Sequence, residues 1–153
     1  MEKLFSERIR VEKGLLGDIF GATESSRVGF EKANAIAIVV ELGAGTGTSA
    51  DFTLRQHDAP SAGNSADLIS SVPVYHKIDA DAAFTRLDTT TANFTIASLD
   101  TVAGTMIVEV YADDLAEGNT HVSLVSTAGG TVRVGSVSYM LDTANKAAYQ
   151  IEL

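Results

Sequence analysis

Apolar and polar residues alternate with period two through most of the chain after residue 34. Phe52-Thr53-Leu54-Arg55-Gln56-His57 shows the pattern, and it recurs at residues 72–78, 84–87, 94–97, 105–111, 121–126 and 132–141. Successive strand side chains point to opposite faces, so each run predicts a strand with one buried face. Residues 35–40 (AIAIVV) are unbroken apolar text rich in β-branched side chains, which predicts a buried strand. Between the runs stand Gly43-Ala44-Gly45-Thr46-Gly47, Ser61-Ala62-Gly63-Asn64, Asp79-Ala80-Asp81, Glu117-Gly118-Asn119 and Gly129-Gly130. These residues accept positive φ or bond their own backbone, so they punctuate strands. The alternation also fixes a register, in which Val108, Val110, Val122 and Leu124 point inward.

Helix signals are scarce. Residues 15–20 could make one turn, 113–116 a tight turn or short 3₁₀ segment, and 143–148 a brief helix. No repeat of 20–50 residues and no βαβ alternation is present, which argues against a solenoid or a doubly wound sheet. Short strands at regular spacing predict an all-β fold, a two-sheet β-sandwich of jelly-roll type with about eight strands.

Charge divides the chain. Residues 1–34 hold six acids and six bases, whereas residues 35–153 hold fourteen acids and five bases, so the whole net charge of -9 lies in the second part. The expected organisation is an N-terminal arm or first hairpin over 1–34 and a β-sandwich domain over 35–153. Leu4, Phe5, Ile9, Leu15, Leu16, Ile19 and Phe20 make the first segment unusually apolar for a solvated tail. Such a set needs covering, so these residues are the candidate partner contacts. An arm of this kind could add a strand to a neighbour's sheet edge or lie across a groove.

Composition removes several kinds of chemistry. With no cysteine, disulfides, thiol catalysis and Cys-based metal sites are excluded. The acidic balance opposes a role in gripping phosphate backbones, so no nucleic-acid partner is expected. The first eight residues mix both charge signs and develop no apolar signal run, and no window reaches the ~20 apolar residues of a membrane span.

Motifs that would carry catalysis are missing. His57, His76 and His121 show no H-x-H or H-E-x-x-H spacing and read as polar positions on outer strand faces. Asp79 with Asp81, and Asp113 with Asp114, lie in turns without the central Gly and closing Glu of a calcium loop. The Gly-rich stretch 43–48 has no following Lys and leads into a strand, unlike a phosphate loop. No serine stands in Gly-x-Ser-x-Gly. Tyr75, Tyr111, Tyr139 and Tyr149 could line a sugar-binding face, but without tryptophan core or interface packing is the stronger reading. Neither cofactor nor metal is expected, and no enzyme activity.

From residue 35 the chain resembles a recurrent group of small tailed-bacteriophage virion proteins. The resemblance runs in order through AIAIVVELGAG, DFTLRQHDAPSAGNSADL, VPVYHKIDADAAFTRLD, ANFTIASLDTVAGTMIVEVYADDLAEGNTHVSLVSTA and VGSVSYMLDTANKAAY. Within it, Ala112-Asp113-Asp114-Leu115 follows an apolar-acidic strand, and His121-Val122-Ser123-Leu124 opens the next. It covers roughly three quarters of the chain and is one of pattern and order; the first 34 residues take no part. It implies a structural virion component, a head decoration (cement) protein made in the bacterial cytoplasm and bound to the outside of the assembled capsid. Its expected partners are the major capsid protein or neighbouring virion subunits, in a homo-oligomer, with no membrane. The competing readings are a tail, neck or baseplate component of similar fold, and a carbohydrate-binding β-sandwich module.

Overall fold

Alternation and turn chemistry are realised as twelve strands among the described residues. A computed structural model describes residues 9–18, 23–31, 33–45, 50–88, 91–126 and 134–143. The strands are β1 (Ile9–Asp18), β2 (Thr23–Glu24), β3 (Val28–Gly29), β4 (Ala35–Leu42), β5 (Asp51–His57) and β6 (Ser65–Asp67). They continue as β7 (Pro73–Ile78), β8 (Thr85–Asp88), β9 (Asn93–Thr95), β10 (Gly104–Tyr111), β11 (His121–Ser126) and β12 (Val134–Asp142). Two short 3₁₀ turns, Ala97–Leu99 and Ala112–Asp114, complete the described secondary structure.

The strands form two antiparallel sheets. The first runs β1-β12-β4-β10-β7-β8, and the second β2-β11-β5-β6. In the second sheet β3 joins β2 on the same flank of β11, and β9 joins β6 on the same flank of β5. Counting each split pair as one strand and setting the β7–β8 hairpin aside leaves eight positions in chain order. The sheets then read 1-8-3-6 and 2-7-4-5, the interlocked Greek keys of a jelly roll. The expected sandwich is therefore present with more strands than eight. Two positions are split, and a hairpin extends the first sheet beyond β10.

Each split has a local cause. Glu24 pairs with Val125 but Val28 pairs with Val122, so Ser25–Arg27 carry one residue more than β11 opposite them. That is a bulge, and it turns the backbone there towards the other sheet. At the other edge, β5 is covered first by β9 (51–53 against 93–95) and then by β6 (55–57 against 65–67). The chain between those two pieces makes the β7–β8 hairpin.

The core lies between the sheets. Val108, Val110, Val122 and Leu124 all point into it and are buried, as the alternation requires. Phe52 and Phe94 pack at 5.7 Å between ring centroids. Ile36, Ile38, Val40 and Leu42 of β4 enter the same core, whereas Ala35, Ala37 and Val39 face outward and are only half-buried. The unbroken apolar run is thus not a strand buried on both faces; its alternate side chains belong to a sheet surface.

Two further expectations change. Residues 15–18 are not helical but end β1, because β12 supplies a ladder from Ile9↔Asp142 to Asp18↔Val134 that resumes after a bulge at Gly14. Residue 34 is not a boundary between an arm, or a first hairpin, and a sandwich. β1 is an edge strand of the first sheet, while β2 and β3 belong to the second and do not pair with β1. Gly14 is needed at the bulge in β1, since a Cβ would come within 2.5 Å of the Tyr139 ring.

Candidate functional site

Jelly-roll pairing gathers chemistry that sequence separation hides. β11 and β5 bring His121 and His57 opposite one another, so two of the three histidines meet across neighbouring strands. His76 lies on β7 of the other sheet, its Nδ1 3.2 Å from Ser98 Oγ. His57, Ser123 and Glu24 project from the outward face of β5, β11 and β2 into one cluster. His57 Nε2 is 2.8 Å from Ser123 Oγ and 3.2 Å from Glu24 Oε1, and the Ser123 hydroxyl donates to Glu24 Oε1 at 2.7 Å.

Serine, histidine and a carboxylate invite comparison with a nucleophile, its base and the acid that orients the base. Here the proton order is reversed. Ser123 spends its one hydrogen on Glu24, so Nε2 of His57 carries a hydrogen and donates to Ser123. The carboxylate that should hold Nδ1 crowds Nε2 instead, and Nδ1 is buried without a partner. His57 and Ser123 are both wholly inaccessible. The cluster is built to hold strands together and gives no attack trajectory to a substrate.

Arg27 closes it. Its guanidinium lies 3.9 Å from Glu24 Oε1, and Nη1 donates to the carbonyls of Ala59 and Ala62 at 3.3 and 3.0 Å. The loop it grips is shaped by Asp58, which accepts from the Asn64 backbone N–H and side-chain amide at 2.8 and 3.0 Å. Gly63, at φ 86°, lets the chain turn there. Burial, above all, holds the His57 imidazole below its ordinary pKa, and Arg27 pushes the same way. Glu24 opposes them, and Arg55 and His121 add smaller repulsions.

Beside this cluster an open pocket of about 130 Å³ lies between β1 and β3, lined by Arg10, Glu12, Val28, Glu31 and His121. Arg10 and Glu12 pair there at 2.9 Å. The turn carboxylates behave as turn residues: Asp114 accepts from the Tyr111 N–H at 2.7 Å, and Asp81 from the Ile78 N–H at 3.4 Å. Among the described residues no three His, Asp or Glu side chains come together as metal ligands. Nor is any described helix long and apolar enough to cross a membrane.

The tyrosines separate. Tyr139 is buried in the core, while Tyr75 and Tyr111 are on the outer face of the first sheet; Tyr149 lies outside the described residues. Arg86 sits 6.0 Å over the Tyr75 ring. Tyr75 is level with Ile107, four residues from Tyr111 along β10, so the two rings start about 13 Å apart along the strand direction. That is not one stacking platform.

Of the candidate partner contacts, Ile9, Leu15 and Leu16 fall on β1, whose backbone pairs them with Asp142, Val137 and Ser136. Leu4, Phe5, Ile19 and Phe20 lie outside the described residues. Ser123, Glu24 and Arg27 were not foreseeable as companions of His57. The available signal was that Thr53, Arg55 and His57 are alternate residues of one run, hence one face; which strand lies alongside needs the topology. No protein-family model, curated protein or solved structure matches the chain.

Proposed function

We propose that the protein is a non-enzymatic structural component of a tailed-bacteriophage virion, a capsid decoration protein that binds the outside of the head and stabilises it. The observation that carries this reading is the strand order 1-8-3-6 against 2-7-4-5. Jelly rolls serve viral capsids, and also lectins and cupins, so the fold supports the reading by analogy. The ordered likeness from AIAIVVELGAG to VGSVSYMLDTANKAAY adds the phage setting. The polar cluster is consistent with it, since its hydrogen bonds are spent on holding a loop and two strands in place.

In this reading the protein is made in the bacterial cytoplasm, assembles as a homo-oligomer and contacts the major capsid protein or neighbouring subunits. Leu4, Phe5, Ile9, Leu15, Leu16, Ile19 and Phe20 are the proposed contact residues of its N-terminal segment. Quantitative mass spectrometry of purified virions tests it. The expected result is a copy number in simple proportion to the major capsid protein. A copy number of a dozen or so per particle would place the protein at the neck, tail or baseplate instead. Absence from virions, with specific retention on a glycan array that Tyr75→Ala or Tyr111→Ala removes, would replace the virion reading with carbohydrate binding.

A further inference from the structure

The two outer faces of the sandwich differ in kind. On the second sheet the outward positions are mostly polar: Thr53, Arg55 and His57 on β5, with His121 and Ser123 beside Val125 on β11. On the first sheet polar and apolar outward positions are mixed, but the apolar ones adjoin one another across the middle strands. The register sets Val11, Met140 and Ala37 in one row across β1, β12 and β4. The next row, across β12, β4, β10 and β7, is Ser138, Val39, Ile107 and Tyr75. These side chains are part-exposed or exposed, with Val11 at 64%. Tyr111, at 50%, continues the patch at one end. Among the described residues no element is stacked on this face. An antiparallel sheet that faces water alternates apolar-in with polar-out, and around Ala37, Val39, Ile107 and Met140 this one does not.

Charge says what can lie against it. The described outward positions of this sheet carry Lys13, Lys77 and Arg86 against Glu41, Glu109 and Asp142, equal numbers of each sign. The chain as a whole has a net charge of -9. The described charges on this face therefore add no net repulsion between two copies. Its size fits as well. Six strands about 4.8 Å apart, from four to ten residues long at about 3.3 Å per residue, span roughly 600–700 Å². A standard interface takes about 800 Å² from each partner.

We propose that the outward face of the first sheet, centred on Val39 and Ile107, is the surface through which copies of this chain associate face to face. The association buries the apolar rows as a further sheet-on-sheet layer, with the mixed charges around them. It deepens the homo-oligomer of the proposed function but is read on the purified chain, so it can stand or fall without the capsid.

Sedimentation equilibrium of the full-length protein at micromolar concentrations should show self-association. Ile107→Glu should weaken it about 100-fold or more, because an unpaired carboxylate would be placed in a desolvated patch. Val39→Lys, on the adjacent strand, is the second variant, and the circular dichroism and melting of each report folding separately. The absence of cysteine allows a direct readout: nitroxide labels at Ser138→Cys should lie within about 25 Å of each other, given ~10 Å between stacked sheets. Labels at Ser65→Cys, on the second sheet, should lie farther apart. A wild-type chain that stays monomeric overturns the proposal, as does association unchanged by both variants or closer Ser65 labels than Ser138 labels. A monomer that binds capsid shells, and loses that binding with Ile107→Glu, also overturns it and assigns the face to a shell protein.

Discussion

The phenol of Tyr139, on the last strand of the first sheet, meets Ser25 Oγ, in the bulge of the second sheet, at 2.5 Å. Tyr139 donates its own hydrogen to the Ser26 carbonyl at 2.7 Å, so the Ser25 hydroxyl is the donor to the phenol. Ser25 Oγ in turn accepts from the Leu124 N–H at 2.9 Å. One chain of hydrogen bonds thus crosses the sandwich and joins β12, the bulge and β11. It explains why a tyrosine occupies a core position that alternation alone would fill with an aliphatic residue.

Tyr139→Phe should therefore cost about 1–3 kcal/mol, because Ser25 and the Ser26 carbonyl both lose a buried partner. The phenol is also pushed up to about 12, chiefly by burial. Its pKa is raised on folding, so its contribution is complete below the unfolded value of about 10 and is lost as pH rises towards 12. That loss amounts to roughly 2–3 kcal/mol. Urea unfolding at pH 8 and pH 11 measures both effects, the alkaline one as about half of its full size, since pH 11 lies one unit above the unfolded value. An alkaline loss of the same size in Tyr139→Phe would assign it to other groups.

Leu124→Ala tests the packing that surrounds this bridge. Leu124 is 3% exposed and faces Leu54 across β11 and β5. Truncation should cost ~2–5 kcal/mol, the range for a buried leucine that leaves a partly collapsed cavity. A change below about 0.5 kcal/mol, typical of surface sites, would mean that the inward register is wrong.

Much of this register is legible in the sequence. Alternation placed Val108, Val110, Val122 and Leu124 correctly because the period of a strand is a purely local property. The run 35–40 is harder: apolar residues on both faces can mean burial on both, or one face in the core and another awaiting a partner. Composition does not distinguish them. Residues 15–18 have helix-tolerant text, but their conformation is decided by β12, more than a hundred residues away. The His57–Ser123–Glu24 cluster fails for the same reason, since Ser123 and Glu24 are 99 positions apart. Only the jelly-roll order makes their strands neighbours.

The same cluster makes stability depend on acid. The imidazole of His57 is held below its ordinary value of 6.5, first by burial. Because the folded pKa is lowered, the unfolded chain takes up protons more readily as pH falls. The contribution is thus complete above about 6.5 and shrinks as pH drops towards the folded value, below which it levels off. Glu24 alone offsets the new charge, against Arg27, Arg55 and His121. Urea unfolding at pH 7.5, 6 and 5 should show falling stability, with a smaller fall in His57→Gln. Imidazole NMR of the folded protein should show His57 titrating below the ordinary value of 6.5. Titration at the ordinary value would remove the basis for this prediction.

Two truncations separate the roles of the N-terminal segment. β1 spans Ile9–Asp18 and pairs with β12 on both sides of its bulge at Gly14, with Glu12 opposite Tyr139. Deleting residues 1–20 strips that strand away, leaves the β12 ladder unpaired and opens the side of the core that Gly14 and Tyr139 close. Each lost backbone pair and each uncovered apolar side chain costs stability, so the melting transition should fall by many degrees. Deleting residues 1–8 removes Leu4 and Phe5 but keeps β1. In that variant the melting temperature should stay close to that of the intact chain, while any loss of assembly or capsid binding is assigned to Leu4 and Phe5. Differential scanning calorimetry with analytical ultracentrifugation reads both quantities. A 1–20 deletion that melts like the intact chain would show that β1 adds nothing to the sandwich, and the ladder between β1 and β12 would have to be abandoned.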